Sequence, residues 1–191
     1  MAGDASDRPQ RQLEDGNHIT AQGAPEPPIA GDLTMMLLGF LDRQRATFAW
    51  KVSGLDAAAL AIAINDSGMT LGGMLKHLAR FEDDMSTEWL FGLPQIAPWN
   101  AIDWDTNPTW DWRSAADDAP EQLAANWQTA VDRARNQFTA AIELPASYRS
   151  AELPSIPYIL INMIEEYARH NGHADLIRES IDGLVGHDPP G

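Results

Sequence analysis

The chain has 191 residues, no cysteine and a formal net charge of −15 at pH 7. This length fits one domain with a hydrophobic core, and no run is long and apolar enough for a membrane helix. Without cysteine there are no disulfides and no thiolate ligands, so any metal must be held by imidazole and carboxylate. The acidic charge argues against a nucleic-acid partner, and the polar N-terminus has no signal-peptide pattern, which predicts a cytoplasmic protein.

Residues 1–30 are predicted to be a disordered N-terminal arm, because four prolines stand among polar residues with almost nothing apolar. The folded domain is expected over residues 31–184, followed by a tail over 185–191. Asp32 is the candidate N-cap of a first long helix that runs to about residue 53 and ends at Gly54. A single extra turn is expected over residues 56–61.

A second long helix is predicted over residues 70–91, with Thr70 as its N-cap and His77 next to the centre of its apolar stripe. The segment 92–120 then changes character, since three prolines and four tryptophans interrupt it. The alternation from Trp110 to Arg113 indicates an extended conformation, a short strand or hairpin. A long segment of this kind inside a compact domain is more often a lid or binding loop than a linker.

Two further long helices complete the predicted domain. Asp118 is the expected cap of the third, which stops near Glu143. Pro157 is expected to begin the fourth, which runs to about Asp182 and ends at Gly183. Four long amphipathic helices with one long, tryptophan-rich crossover between the second and third predict an all-α fold, a four-helix bundle.

The fourth helix carries the strongest signal for a site. Glu166 and His170 are four residues apart, so their side chains stand on one face of a helix about 6 Å apart and are suited to share one cation. His77 is the obvious third ligand, because His18 and His187 fall in the predicted arm and tail. Imidazole and carboxylate ligands suit Zn²⁺, Ni²⁺ or Fe²⁺, and three protein ligands leave a coordination position open.

Each of these residues also has an ordinary interpretation. Glu166 and His170 are compatible with a solvated surface pair, and His77 with a part-buried helix histidine. His173 has three possible roles: a fourth ligand, a group that orients a ligand, or a histidine that caps the helix. The tryptophans fit core and loop anchors as well as a substrate site.

Two segments carry a family resemblance. Residues 70–78 and 166–175 together resemble the DinB-like superfamily, and the similarity is greatest to the actinobacterial branch related to mycothiol-dependent transferases and maleylpyruvate isomerase. Residues 38–47 also fit that branch, and the resemblance covers about residues 32–183.

The resemblance implies a four-helix bundle of DinB-like type that holds a divalent metal, zinc or nickel, through His77, Glu166 and His170. Many members have histidine where this chain has Glu166, whereas the mycothiol-dependent isomerase branch resembles this chain in having glutamate there. His173 stands where many members have glutamine, so an additional or supporting role stays open. Family members use low-molecular-weight thiols such as mycothiol, and commonly pair as homodimers.

The leading hypothesis is a metal-dependent transferase or isomerase that uses such a thiol on a small electrophilic substrate. One alternative is a non-enzymatic metal- or ligand-binding bundle connected with stress, and another is a hydrolase that uses metal-bound water. Arg45, Arg80 and Arg169 are candidates for binding an anionic group, and the 92–120 segment is the candidate cover of the open face. No catalytic or cofactor-binding residue is assigned.

Overall fold

The computed structural model describes residues 18–19, 25–64, 68–145 and 148–186, and this part of the chain is mostly helical. Most of the arm predicted over residues 1–30 and most of the tail predicted over 185–191 lie outside the described residues. Within the described ranges no helix is long and apolar enough to cross a membrane.

A short strand pair precedes the first helix. Strands β1 (His18–Ile19) and β2 (Pro25–Glu26) are antiparallel. Strand β2 contacts helix α1 (Leu33–Val52), which begins after Asp32 because that carboxylate accepts hydrogen bonds from two backbone N–H groups of the first turn. The predicted extra turn is α2 (Ala57–Leu60), which has four residues.

The second long helix contains a change of winding. Helix α3 (Leu71–Asp84) starts after Thr70, whose hydroxyl accepts a hydrogen bond from the Gly73 backbone N–H at 2.9 Å. It continues as a π-helical turn over Met85–Trp89. There the hydroxyls of Ser86 and Thr87 donate to the backbone carbonyls four residues earlier, which competes with the regular helical hydrogen bonds.

The prediction of a strand or hairpin at Trp110–Arg113 was wrong. This part of the crossover is helix α4 (Trp110–Ser114), flanked by 3-10 turns at Trp99–Ala101 and Ala115–Asp117. The alternation of tryptophan and polar residues does not reflect a buried and a solvated face. Asp111 is only 1% exposed because it hydrogen-bonds inside the protein, and the two flanking indoles pack in different directions.

The last two long helices are α5 (Pro120–Glu143) and α6 (Ile156–Asp182). The prediction that Asp118 caps α5 was wrong. The N-cap residue is Ala119, and no side chain caps this helix. The Asp118 carboxylate instead binds the Lys76 ammonium at 2.6 Å. Helix α6 ends at Gly183, whose φ of 77° lies in the left-handed region that glycine adopts without strain.

The four long helices pack in two close pairs. Helix α1 lies along α6 and α3 lies along α5, while α3 also contacts α4 and α6. The core between them is built from aliphatic and aromatic side chains, among which Phe48, Trp127 and Tyr167 form edge-to-face contacts. The contact between α3 and α6 brings the three predicted ligand residues onto facing surfaces.

Candidate metal centre

Three side chains from two helices converge on one point. His77 extends from α3, and Glu166 and His170 extend from α6, one helical turn apart. The Nε2 atoms of both histidines lie 3.1 Å from Glu166 Oε1. Their potential ligand atoms all lie within 4.8 Å of one another. The structure therefore brings together the three residues that the sequence and the resemblance singled out.

Asp111 determines the orientation of the His77 ring. Its Oδ2 lies 3.0 Å from His77 Nδ1 and 3.5 Å from Arg80 Nη1, and its Oδ1 accepts a hydrogen bond from the Trp112 backbone N–H at 3.0 Å. A carboxylate only accepts hydrogen bonds, so Nδ1 of His77 carries the proton. Nε2 of His77 faces the Glu166 carboxylate and donates to it when the ring is protonated on both nitrogens. In the neutral ring that keeps the Nδ1 proton, the lone pair is on Nε2, which is then the atom available to a cation.

Trp112 covers one side of the cluster. Its ring stacks on His77 with centroids 4.7 Å apart and an interplanar angle of 26°, and its centroid is 5.5 Å from that of His170. The indole reaches this position because residue 73 is glycine. A Cβ at Gly73 would lie 2.8 Å from Cε3 of Trp112, a distance that real Cβ atoms do not adopt.

The electrostatics of the cluster follow from these contacts. Hydrogen bonds from His170 and His77 hold the pKa of Glu166 far below its usual range, although burial opposes this. Burial lowers the pKa of His77, but the hydrogen bonds to Asp111 and Glu166 outweigh it and raise the pKa above its ordinary value. Burial would raise the pKa of Asp111, but His77 and Arg80 lower it. Both carboxylates are therefore anions at neutral pH.

The three residues fit a divalent ion. One carboxylate and two imidazoles form a donor set typical of Zn²⁺ and related transition ions. With bond lengths of about 2.0–2.2 Å, ligand atoms around a single ion are about 3–3.5 Å apart. Each histidine nitrogen is 3.1 Å from the Glu166 oxygen, which matches this spacing, and all three ligand atoms lie within 4.8 Å of one another. Asp111 also supplies the carboxylate behind a ligating histidine that such sites usually contain.

The other predicted candidates are placed differently. The His173 ring centroid is 5.6 Å from that of His170, and His173 is not part of the cluster whose ligand atoms lie within 4.8 Å. Arg45 is buried in an ion pair with Glu82, and Arg169 forms an exposed ion pair at 3.0 Å. Arg80 is the one of the three predicted arginines that contacts the site, through Asp111.

The sequence did not reveal Asp111 as a member of the site. The signal available was a single carboxylate between two tryptophans in the crossover segment, which was interpreted as part of a strand. Once α4 is known to be a helix packed against α3, the burial of this one acidic residue beside His77 identifies it.

Fold and site together define a helical protein with a histidine and carboxylate cluster of the type that holds a divalent ion. The chain belongs to the mycothiol-S-transferase family, whose match extends over residues 36–183 and includes the entire cluster. Comparisons with curated proteins and with solved structures give no significant match.

Proposed function

We propose that this protein is a metal-dependent transferase that uses a low-molecular-weight thiol, mycothiol, on a small electrophilic substrate. The single observation that carries the metal dependence is the convergence of His77, Glu166 and His170 on one point. The family match supports the thiol and the transfer reaction. The chain has no cysteine, so the nucleophilic sulfur must come from the thiol substrate itself.

Each residue of the cluster has a distinct task in this proposal. A bound divalent ion supplies the Lewis acidity that lowers the pKa of a thiol or water in the open coordination position. Glu166 contributes the anionic ligand, and His77 and His170 the neutral ones. Asp111 holds His77 in the tautomer that presents Nε2, and Trp112 shields the His77 ring from water. No general acid or base is assigned.

The architecture belongs to the same proposal. We assign the four long helices to a DinB-like four-helix bundle, since α1, α3, α5 and α6 enclose the core and the cluster lies between α3 and α6. A homodimer remains a prediction, to be tested by sedimentation equilibrium.

Metal content tests the ligand set directly. The untagged protein is purified and analysed by inductively coupled plasma mass spectrometry, with the variants His77→Ala and Glu166→Gln. We expect about one equivalent of zinc or nickel in the wild type and a loss in both variants. His173→Gln is the matched control, because it changes a histidine of the same helix outside the cluster. Equal metal content in all four proteins would contradict the proposed ligands.

Thiol dependence tests the reaction. Turnover of a chromogenic aryl chloride is measured with mycothiol, with another thiol and without thiol, in the wild type and in Glu166→Gln. Turnover that requires both the thiol and the intact cluster supports the proposal. Metal retention without any thiol-dependent turnover would favour a binding protein, and thiol-independent cleavage of an ester substrate would favour a hydrolase.

A further inference from the structure

A cavity of about 560 Å³ lies beside the candidate metal centre, enclosed by α2, the start of α3, α4 and the start of α5. This volume is in the range of small-molecule binding sites. Its walls are mainly apolar, with Leu60, Met69 and Leu123 among the lining residues. The three proposed metal ligands do not require such a cavity. We therefore consider which second molecule it could bind.

Trp112 is shared between the cavity and the cluster. The indole lines the cavity and also stacks on the His77 ring at 4.7 Å. A molecule in the cavity would therefore contact the same side chain that covers His77. Such a molecule would lie one aromatic ring away from His77, although none of the three cluster residues lines the cavity itself.

Two charged side chains line the cavity, and they differ in whether an ion pair within the protein neutralises them. Asp118 binds the Lys76 ammonium at 2.6 Å, so its charge is neutralised inside the protein. The exposed side chain of Arg113 forms no ion pair or hydrogen bond with any residue in the described part of the chain. In a protein of net charge −15, a cation at the edge of an apolar cavity selects for an anionic group on the molecule that enters.

We propose that this cavity binds the electrophilic substrate, and that this substrate is a flat, apolar molecule with a carboxylate. Arg113 pairs with the carboxylate, and Trp112 with the apolar walls holds the body of the molecule. The assignment of this ligand as the electrophile rests on the proposed function. An apolar lining suits it better than a thiol cosubstrate with many hydroxyl groups, whose polar surface would lose its hydration there.

The test uses naphthalene-2-carboxylate and its neutral analogue 2-naphthamide as probes. The protein is labelled with 5-fluorotryptophan, and ¹⁹F NMR titrations follow the resonance that Trp112→Phe identifies. We expect that resonance to shift on binding. Arg113→Gln should weaken binding of the carboxylate about three- to tenfold and change the amide affinity less than about twofold. Ala116→Phe, which fills the cavity, should weaken both probes, and Arg169→Gln on α6 should weaken neither.

Two results would overturn the assignment. The first is that Arg113→Gln weakens the binding of both probes equally or of neither, and the second is that Ala116→Phe leaves the binding of both probes unchanged. The metal content of the same variants separates this inference from the proposed function. Probe binding with the expected pattern in a protein that takes up no metal would support the cavity and refute the metal-dependent reaction. Retained metal without probe binding would refute the cavity alone.

Discussion

Replacement of Asp111 by asparagine tests whether the carboxylate behind His77 supports metal binding. Asparagine has nearly the same shape and its carbonyl oxygen still accepts a hydrogen bond from His77 Nδ1, but it has no charge. Asp111 is 1% exposed and lies between two cationic or donor groups, at 3.0 Å from His77 and 3.5 Å from Arg80. The substitution therefore keeps the shape of the side chain but removes one buried charge and the oxygen that accepts from the Trp112 backbone N–H.

The expected loss follows from the role of Asp111. Carboxylates that hold a ligating histidine contribute about ten- to hundredfold to metal affinity, or about 1.4–2.7 kcal/mol. The fold should tolerate the change. Arg80 keeps its contact with Asp84 at 3.2 Å and its position over the Trp104 ring at 3.5 Å, and it is partly exposed. Its lost partner costs about 1 kcal/mol of unfolding free energy or less.

The pH dependence gives this prediction a second signature. Protons compete with the metal for His77, and a pKa raised above the ordinary value means that this competition begins at a higher pH. Burial lowers that pKa, while Asp111 and Glu166 raise it, so the loss of the Asp111 charge should lower it. The variant should bind metal more weakly above neutral pH, yet its affinity should begin to fall at a lower pH than that of the wild type.

The assay is a competition titration of Zn²⁺ between the protein and a fluorescent chelator. It is repeated from about pH 5.5 to about pH 8, a range that brackets the ordinary pKa of histidine. Asp105→Asn is the matched control, since Asp105 is an exposed aspartate of the same crossover segment. If Asp111→Asn and Asp105→Asn bind zinc with the same affinity and the same pH profile as the wild type, Asp111 does not support a ligand and the reasoning is refuted.

Four other changes have outcomes that the structure predicts. Glu82→Gln should lower the unfolding free energy by about 3–5 kcal/mol in urea denaturation, because it removes the buried carboxylate partner of Arg45 and leaves the partly exposed Asp42 at 2.9 Å; a loss below about 1 kcal/mol would contradict this. Gly73→Ala should displace Trp112, visible as a changed near-ultraviolet circular dichroism spectrum, whereas Gly172→Ala meets no atom within 4 Å and should stabilise α6 by about 0.5–1 kcal/mol. Removal of bound metal by a chelator should leave the far-ultraviolet spectrum unchanged, and a loss of helix would contradict a fold that forms without metal.

The helices were predictable because their signals are local. Asp32 and Thr70 cap helices as expected, and Gly183 ends the last one. The pair Glu166 and His170 was predictable for the same reason, since the spacing of four residues fixes both side chains on one face. The third member, His77, is 89 residues before Glu166, and periodicity alone does not connect positions so far apart. That connection came first from elimination, since His18 and His187 fall in the predicted arm and tail, and then from the family resemblance.

Charged residues in the interior escaped prediction because their partners are distant in sequence. Arg45 was a candidate for binding an anionic ligand, yet it is 2% exposed and its guanidinium forms two hydrogen bonds with Glu82, 37 residues away. Arg45 lies four residues after Leu41 and three before Phe48, on the buried face of α1, but the local sequence does not identify the carboxylate that pairs with it. Asp111 was missed for the same physical reason, since its burial depends on contacts with α3 that no local pattern encodes.

The buried network explains how the cluster is held in place before any metal binds. Glu82 of α3 accepts hydrogen bonds from Arg45 of α1 and from the Tyr167 hydroxyl of α6 at 2.7 Å, and Tyr167 accepts one from Trp127 of α5 at 2.8 Å. Burial and the charge of Glu82 raise the pKa of Tyr167 well above its ordinary value, so its hydroxyl remains a donor.

All four long helices are thus joined by contacts that do not involve a metal. Tyr167 directly follows Glu166, and Glu82 is on the same helix as His77, so the Tyr167–Glu82 hydrogen bond fixes the rotation and height of α6 relative to α3. That alignment is the one that brings Glu166 to 3.1 Å from His77. Because the helices are already docked, metal binding does not have to supply the free energy of folding, as it does in small metal-dependent domains. In the proposed metal centre the affinity would then be set by the three proposed ligands and by Asp111.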